Sequence, residues 1–239
     1  DLDVEDEAQV RHLLREHGEE DSLGYFATRR DKSGVWDADR AADARAGVSY
    51  RVIGGVSLAS GNPVGDPRRW PEAVRRWLAE ARLHGWTPAV MGVGTTGAQT
   101  YAAAGLKMID LGDEAILDLT AFTLTGPSMR SVRQSVSRLQ RRGYVVQVAR
   151  HGDLEPGLLG ELREAACRWR GDGGSERGFS MALGRLDDPL DEHCVLLTAR
   201  DGDGRVRGFL SLVPWGRAGV SLDLMRRDPT ADNGIVELM

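Results

Sequence analysis

The stretch Ala98–Leu119, AQTYAAAGLKMIDLGDEAILDL, decides the predicted fold. Its first part predicts a short helix that ends near Gly105. Two apolar runs follow, KMIDLG and EAILDL, and each has the length of a strand. The stretch therefore predicts a helix followed by a pair of strands.

The segments before this stretch predict a sheet with helices packed on it. The acidic segment 1–21 predicts an amphipathic surface helix. The other predictions are, in chain order, a strand over 22–30, an extended region over 48–61, a helix over 70–84 and a strand over 87–94. Strands and helices in this order favour a mixed sheet in an α/β layered fold.

The second half of the chain repeats this layout without repeating the sequence. Its predicted elements are a helix over 127–143, a strand over 144–150, a helix over 154–171, a hairpin over 193–213 and a strand over 219–227. We therefore predict two related units, at 1–125 and 126–239.

The last seven residues, NGIVELM, predict the start of a further helix. Asn233 is a capping-type residue, and three apolar residues follow it. One helical turn leaves an apolar face unfinished. We therefore expect a fragment of a longer protein, with the second unit truncated at its C-terminus.

Composition narrows the class of protein. Hydrophobic residues make up 41% of the 239 residues, and no apolar run reaches the roughly 18–20 residues of a membrane-spanning helix. The N-terminus is acidic, unlike a signal peptide. Cys167 and Cys194 belong to no CxxC pair and no HExxH sequence is present, so we expect neither a metal site nor a disulfide framework. A soluble, cytosolic fragment is expected.

Several motifs carry a family resemblance. The Ala98–Leu119 stretch resembles the end of a GNAT acyltransferase fold. GNPVGDP, GDEAILDLTAFTLTGPSMRSVRQSVSRLQRRGY, ERGFSMALGRLDDP and SLDLMRRDPTADNGIVELM are similar, in order and spacing, to the cytoplasmic aminoacyl-transferase domain of the phosphatidylglycerol lysyltransferases, also called lysylphosphatidylglycerol synthases or the multiple-peptide-resistance family. The resemblance runs from about Leu23 onward and implies tandem GNAT-like acyltransferase units with mixed central sheets.

This resemblance implies an enzyme that moves an aminoacyl group from a charged tRNA to the glycerol hydroxyl of phosphatidylglycerol. The implied location is the cytoplasmic face of a bacterial membrane, where the product changes membrane charge and resistance to cationic antimicrobial peptides. Family members carry the domain beside a membrane segment or a lysyl-tRNA synthetase domain. Lysyl-tRNA is the favoured donor, and alanine stays open as the transferred residue. Two alternatives are a Fem-type aminoacyltransferase acting on peptidoglycan and a non-catalytic module that binds lipid or tRNA.

No cofactor is expected, and acetyl-CoA in particular is disfavoured. GNAT enzymes that use acetyl-CoA hold its pyrophosphate on backbone N–H groups of a Gly-rich loop at a helix N-terminus. The matching segments here, RRDPTADNG and GNPVGDPRRWP, contain prolines, which lack that N–H. In the second unit, Asp228 and Asp232 would also repel a diphosphate.

The strand over 219–227 carries the predicted aminoacyl site. Alternation places Asp223 on one face with Ser221 and Met225, and a buried carboxylate needs a partner because an unpaired buried charge is costly. The partner is either a substrate ammonium or an internal arginine. The resemblance to the family's DLMR motif favours the substrate and adds Arg226. Strict alternation sends Arg226 to the opposite face, so both reach one ligand only with a bulge or a strand end near Met225.

A second motif adds to this predicted pocket. Glu176, in ERGFS, matches a family motif that we assign to the pocket lining, and its alternative is a solvated loop glutamate. Phe179 is expected to be a core anchor. No Ser–His–Asp or Cys–His set is recognisable. An aminoacyl ester is already activated, so positioning and electrostatic stabilisation can suffice for transfer.

One dense basic segment stands out in a chain of net charge −5. It comprises Arg130, Arg133, Arg138, Arg141 and Arg142 on the predicted helix over 127–143. Its polar face suits the phosphates of tRNA or of an anionic lipid headgroup. The alternative is a solvated face, because 29 of the 31 basic residues in this chain are arginines and only Lys32 and Lys107 are lysines.

Overall fold

A computed structural model describes residues 2–155, 157–170 and 178–239 of the chain. The described residues divide into two compact units. Unit 1 contains those of 1–109, 176–184 and 213–221, and unit 2 contains those of 110–175, 185–212 and 222–239. The units therefore interleave along the sequence. A single domain boundary near Gly126 stays a prediction, because compactness does not show which segments fold independently.

Unit 1 is a mixed sheet with helices. Its elements are α1 (Val4–His17), β1 (Ser33–Trp36), β2 (Ala46–Ile53), β3 (Val56–Ser60), β4 (Val64–Gly65), α2 (Trp70–Leu83), β5 (Thr87–Met91) and α3 (Thr95–Ala103). The strand order is β1-β2-β3-β5, with β4 also paired to β2. All pairs are antiparallel except β3 with β5, which is parallel. A parallel pair needs a crossover, and α2 lies in that crossover.

Helix α2 provides much of the core of unit 1. Pro71 lies in its first turn, as expected for a residue whose missing N–H has no helical partner there. Trp70 and Trp77 are seven residues apart on the buried face of the helix. Each indole N–H has a partner: Trp70 donates to the carbonyl of Gly65 at 3.0 Å and Trp77 to Ser57 Oγ at 2.9 Å. The sheet and the crossover helix are therefore joined by both packing and hydrogen bonds.

Unit 2 is built around a second sheet. The elements of the second half are α4 (Arg130–Arg141), β6 (Val145–Arg150), α5 (Leu158–Trp169), β7 (Val195–Arg200), β8 (Val206–Trp215), β9 (Gly219–Arg227) and α6 (Ile235–Leu238). The strand order is β6-β7-β8-β9, and the β6–β7 and β7–β8 pairs are antiparallel. The tip of the β8–β9 hairpin, residues 213–221, belongs to unit 1.

Three predictions about secondary structure are wrong. The strand over 22–30 is instead a 3₁₀ helix at Gly24–Thr28, in which Thr28 Oγ1 donates back to the carbonyl of Tyr25 at 2.9 Å. The strand pair over 107–119 is absent, since no residue there lies in a helix or strand. An apolar run forms a strand only beside a partner strand, and no described strand pairs with this one.

The third wrong prediction concerns the cap of the last helix. Gly234, not Asn233, is the N-cap of α6, with a left-handed φ of 95°. A Cβ at Gly234 would lie 2.8 Å from Cβ of Ser135 on α4. The close approach of α4 and the turn before α6 therefore requires glycine at this position.

Replacing Gly65, in the GDP sequence of the GNPVGDP motif, should strongly destabilise the protein. Gly65 has φ 93°, and a Cβ there would lie 2.2 Å from the carbonyl oxygen of Arg45. We expect Gly65→Ala to lower the free energy of unfolding by about 3 kcal/mol or more, because strain and a backbone clash add. Denaturant unfolding measures it.

Gly54→Ala is the matched control for this substitution. Gly54 also has positive φ, 57°, but nothing lies within 4 Å of the added Cβ. Only the backbone strain applies, at about 1 kcal/mol. Equal losses for the two variants would show that the contact with Arg45 is unimportant.

Candidate functional site

The carboxylate predicted to bind the aminoacyl group is buried. Asp223 is 8% exposed on β9, whereas its neighbours Val220 and Leu222 are 43% and 49% exposed. Burial changes face immediately afterwards: Leu224 packs into the core of unit 2, Met225 is exposed and Arg226 is half-buried. Asp223 therefore lies on the more buried face of the first part of β9, and Arg226 lies on the more buried face of the part that follows.

The backbone and the side chain of Arg226 are both engaged locally. Its Nη1 donates to the carbonyl of Met225 at 2.9 Å. Its own carbonyl lies 3.3 Å from where a Cβ of Gly208 on β8 would be, and Ile235 of α6 lies 3.2 Å from the same point. Gly208 therefore lets β9 and α6 approach β8 closely beside the predicted site.

The loop after β9 is held by arginines. Asp228 pairs with Arg207 at 3.0 Å and also accepts from Thr230 N at 2.8 Å and Thr230 Oγ1 at 2.7 Å. Burial raises the pKa of Asp228, but the hydrogen bonds from Thr230 and the charge of Arg207 outweigh it, so the pKa lies below its usual value. Asp232 pairs with Arg142. Both carboxylates are thus neutralised, so their expected repulsion of a diphosphate is weakened.

The five arginines of the basic segment have different roles. Arg138 donates to the carbonyl of Asn233 at 2.6 Å, Arg142 holds Asp232, and Arg133 donates to the carbonyls of Leu124 and Gly126. These three tie α4 to neighbouring segments of unit 2.

Arg130 and Arg141 differ from the other three. Both are exposed, and neither has an ion pair or hydrogen bond to a side chain among the residues described. Eleven residues apart, they lie about 16 Å from each other along the same face of the helix. They are therefore the two arginines of this segment whose guanidinium groups are not bonded to another described segment of unit 2.

Glu176 lies outside the described residues. The segment that follows it, 178–184, belongs to unit 1. Phe179 has φ 71°, the one positive φ of a non-glycine residue within the described part of the chain. Arg29 donates to the carbonyl of Ala182. The predicted core anchor is thus half-buried in a strained turn, and an arginine holds the chain that follows it.

A polar cluster at the carboxyl ends of β3 and β5 was not predicted. Asp21 accepts from the backbone N–H groups of Leu23 and Asn62, each at 2.9 Å. Asn62 Oδ1 in turn accepts from the N–H of Gly94, the residue before α3, at 2.9 Å. Parallel strands end at one edge of a sheet, where α/β folds commonly bind ligands. The cluster therefore fixes the loops at the edge where a ligand is expected.

Lys32 lies beside this edge and is fully buried. Its ammonium donates to the carbonyl of Phe26 at 2.9 Å and to Ser60 Oγ at 2.8 Å, and it lies 4.9 Å from the centre of the Phe179 ring. Burial, reinforced by the charge of Arg29, lowers the pKa of Lys32 to about 7. Its signal in the sequence is that it is one of only two lysines in a chain with 29 arginines.

The Asp66 carboxylate of the GDP sequence has a structural role. It accepts from Arg68 Nε at 3.0 Å and from Arg45 Nη2 at 2.8 Å. The hydrogen bonds from Arg68, followed by the charges of Arg68 and Arg45, lower the pKa of Asp66 to about 2. The GDP sequence therefore stabilises the turn between β4 and α2 through ion pairs.

Comparison with known proteins settles the family. Residues 11–239 match the model of the family described as "Phosphatidylglycerol lysyltransferase, C-terminal". The chain belongs to this family. Among curated proteins it is similar to the "Lysylphosphatidylglycerol biosynthesis bifunctional protein LysX" of Mycobacterium avium, at 55% identity, and of Mycobacterium tuberculosis H37Rv, at 54%. Each match covers all of this chain and 20% of the relative. The chain thus spans about a fifth of the length of these relatives.

Solved structures share the fold. The structure of L-PGS from Bacillus licheniformis aligns with a TM-score of 0.82 at 25% identity, covering 97% of this chain and 69% of that one. The C-terminal domain of a putative lysylphosphatidylglycerol synthetase from Agrobacterium fabrum aligns with a TM-score of 0.83 at 24% identity, covering 98% and 72%. The predicted family and the predicted α/β, GNAT-like fold class are confirmed.

Two findings concern membranes and metals. Among the described residues, no helix is both long and apolar enough to cross a bilayer. Within the same residues, no group of three or more His, Cys, Asp or Glu side chains could hold a metal ion.

The lowered pKa of Lys32 should make the stability of the protein depend on pH. Its pKa is about 7 when folded and near 10.5 ordinarily, so between these values the unfolded chain holds one more proton than the folded chain. The free energy of unfolding of the wild type should therefore rise with pH, relative to Lys32→Met, by about 1.4 kcal/mol per pH unit between pH 8 and 9. Denaturant titrations at several pH values measure this difference.

Lys107→Met is the control, because Lys107 is exposed. The difference between wild type and Lys107→Met should stay constant over the same range. A constant difference for Lys32→Met as well would contradict the low pKa of the buried lysine.

Proposed function

We propose that this domain transfers an aminoacyl group, lysyl in preference to alanyl, from aminoacyl-tRNA to the glycerol hydroxyl of phosphatidylglycerol. The observation that carries the proposal is a buried carboxylate, Asp223, in the SLDLMRR sequence of a chain from this family. The names of the mycobacterial relatives, which specify lysylphosphatidylglycerol biosynthesis, favour lysine.

For this transfer, the main role of the protein is to position the two reactants. The phosphatidylglycerol hydroxyl attacks the ester carbonyl, a C–O bond to the lipid forms, the C–O bond to the tRNA ribose breaks, and the proton of the hydroxyl passes to the ribose oxygen. Asp223 is proposed to bind an ammonium of the aminoacyl group. Arg226, with Glu176, completes the grip on that group. Holding both reactants converts an encounter in solution into a reaction within one complex.

The tRNA or lipid phosphates are proposed to bind at α4. Arg130 and Arg141 are the two arginines of that helix available for this, since Arg133, Arg138 and Arg142 are bonded within unit 2. A separation of about three helical turns suits two phosphates of one anionic ligand.

The site is proposed to act at the cytoplasmic face of the bacterial membrane, as part of a longer protein. The relatives are named bifunctional, and this chain aligns with only a fifth of each. A membrane segment or a synthetase domain in the parent protein would supply the lipid surface or the charged tRNA. Acetyl-CoA has no proposed role.

Transfer is tested in the parent protein with radiolabelled lysyl-tRNA or alanyl-tRNA and phosphatidylglycerol liposomes, followed by chromatography of the lipids. We expect label in the lipid fraction. Label on a peptidoglycan precursor instead would indicate a Fem-type enzyme, and binding without transfer would indicate a non-catalytic module. Either result would overturn the proposal.

Asp223→Asn should lower transfer by roughly 10- to 100-fold, because a hydrogen bond to a charged group is weakened. The matched control is Asp203→Asn, which changes an exposed carboxylate in the β7–β8 turn and should have no effect. Full activity of Asp223→Asn would remove Asp223 from the aminoacyl site.

Arg130→Ala and Arg141→Ala should weaken binding of the anionic substrate and reduce its dependence on salt concentration, because each removes a phosphate contact. Titrations at two or more salt concentrations measure both effects. Arg150→Ala, which removes an exposed arginine on β6 outside this helix, is the control. The same salt dependence in all three variants would contradict the assignment.

A further inference from the structure

The ammonium of Lys32 joins three separate parts of unit 1. Phe26 belongs to the 3₁₀ helix at Gly24–Thr28, Ser60 ends β3, and Phe179 comes from the segment 178–184. The first two groups accept its hydrogen bonds, and the ring of the third lies 4.9 Å from its nitrogen. A single buried charge therefore connects the edge of the sheet to a segment that is distant in sequence.

The segment 178–184 needs to be held in place. Phe179 has a positive φ, which is unfavourable for a residue with a Cβ and persists only where surrounding contacts enforce it. Arg29 bonds the carbonyl of Ala182, and Ser180 is buried beside Gly92. These contacts fix the chain after Phe179. The ring of Phe179 itself lies 4.9 Å from the Lys32 ammonium.

The choice of lysine at this position is informative. A fully buried ammonium loses its hydration at a large cost in free energy, so it is found only where other interactions offset that cost. Elsewhere the chain uses arginine for nearly all of its cations. A guanidinium is larger and planar, whereas a compact ammonium fits between two oxygen acceptors and the face of a ring.

We propose that Lys32 is a positioning residue whose ammonium holds the Phe179 ring and thereby sets the conformation of the segment 178–184. This segment contains the end of the ERGFSMALG motif, which carries the proposed pocket residue Glu176. The consequence for aminoacyl transfer rests on the proposed function, but the structural role does not.

The interaction with the ring requires the charged form of Lys32. The charged groups that act on it are Arg29, which disfavours the ammonium, and Asp31 and Asp21, which favour it. With its pKa near 7, the lysine is charged in mildly acidic solution and loses its proton as the pH rises. The grip on Phe179 should therefore weaken between pH 6 and pH 8.

Two labelling experiments on the 239-residue chain test the proposal directly. The chain has two lysines and four phenylalanines, so ¹³Cε-lysine and 4-fluorophenylalanine spectra contain few signals, which single substitutions assign. We expect the fluorine signal of Phe179 to titrate with the same midpoint as the Lys32 carbon signal. In Lys32→Met that titration should disappear, and in Lys107→Met it should be unchanged.

A second variant leaves Lys32 in place, in case Lys32→Met does not fold. Phe179→Leu removes the ring, so the charged form of Lys32 should lose support and its midpoint should fall. Hydrogen exchange of the peptide 178–184 should become at least tenfold faster in this variant, while β2 keeps its protection. An unchanged Lys32 midpoint, or unchanged exchange in 178–184, would overturn the proposal.

Activity supplies a separate readout. In the parent protein, Lys32→Met should lower transfer at least tenfold and Lys107→Met should not. If the wild type showed no transfer while the Phe179 and Lys32 signals still titrated together, the proposed function would fail and the positioning role would stand. If transfer occurred but the two signals titrated independently, the positioning role alone would be overturned.

Discussion

The parallel pairing of β3 with β5 is the constraint on which unit 1 depends. It requires a crossover, and the crossover contains α2, whose two buried tryptophans form much of the core. It also brings the carboxyl ends of both strands to one edge. Ser60, Asn62 and Gly94 meet there because the strands end there. The polar cluster and the contact of Lys32 with Ser60 are consequences of that single pair of strands.

Charge pairing is the second organising feature, and both units pair charges internally. In unit 1 the charges are compensated internally: Asp37 accepts from Arg69 and from two backbone N–H groups, and Asp66 is held by two arginines. Burial alone would raise the pKa of Asp37, yet these hydrogen bonds bring it below its usual value. In unit 2, Asp228 and Asp232 are each paired with an arginine. The buried Asp223 lies three residues before the half-buried Arg226 on β9. Asp223 and Arg226 are the two residues of unit 2 that are proposed to bind the aminoacyl group.

Part of the proposed site could be predicted from the sequence because it is local. DLMR is a continuous motif, and alternation along one strand is enough to make Asp223 a candidate. The basic helix is equally local, although only the structure separates Arg130 and Arg141 from the three arginines that bond within unit 2. Lys32 could not be predicted in the same way. Its partners are 6, 28 and 147 positions away, and no spacing rule connects them.

The sequence by itself determined the family, the α/β fold class and most helices, because motifs and short-range periodicity carry that information. It determined neither the state of 22–30 nor that of 107–119. Strand formation depends on a partner strand, and the same apolar residues suit a 3₁₀ helix or an extended loop. Only the tertiary structure decided that the segments 178–184 and 213–221 belong to unit 1, and which charges are buried. The physical reason is that burial depends on how the whole chain packs. Residues distant in sequence therefore determine which charges are buried and what they pair with.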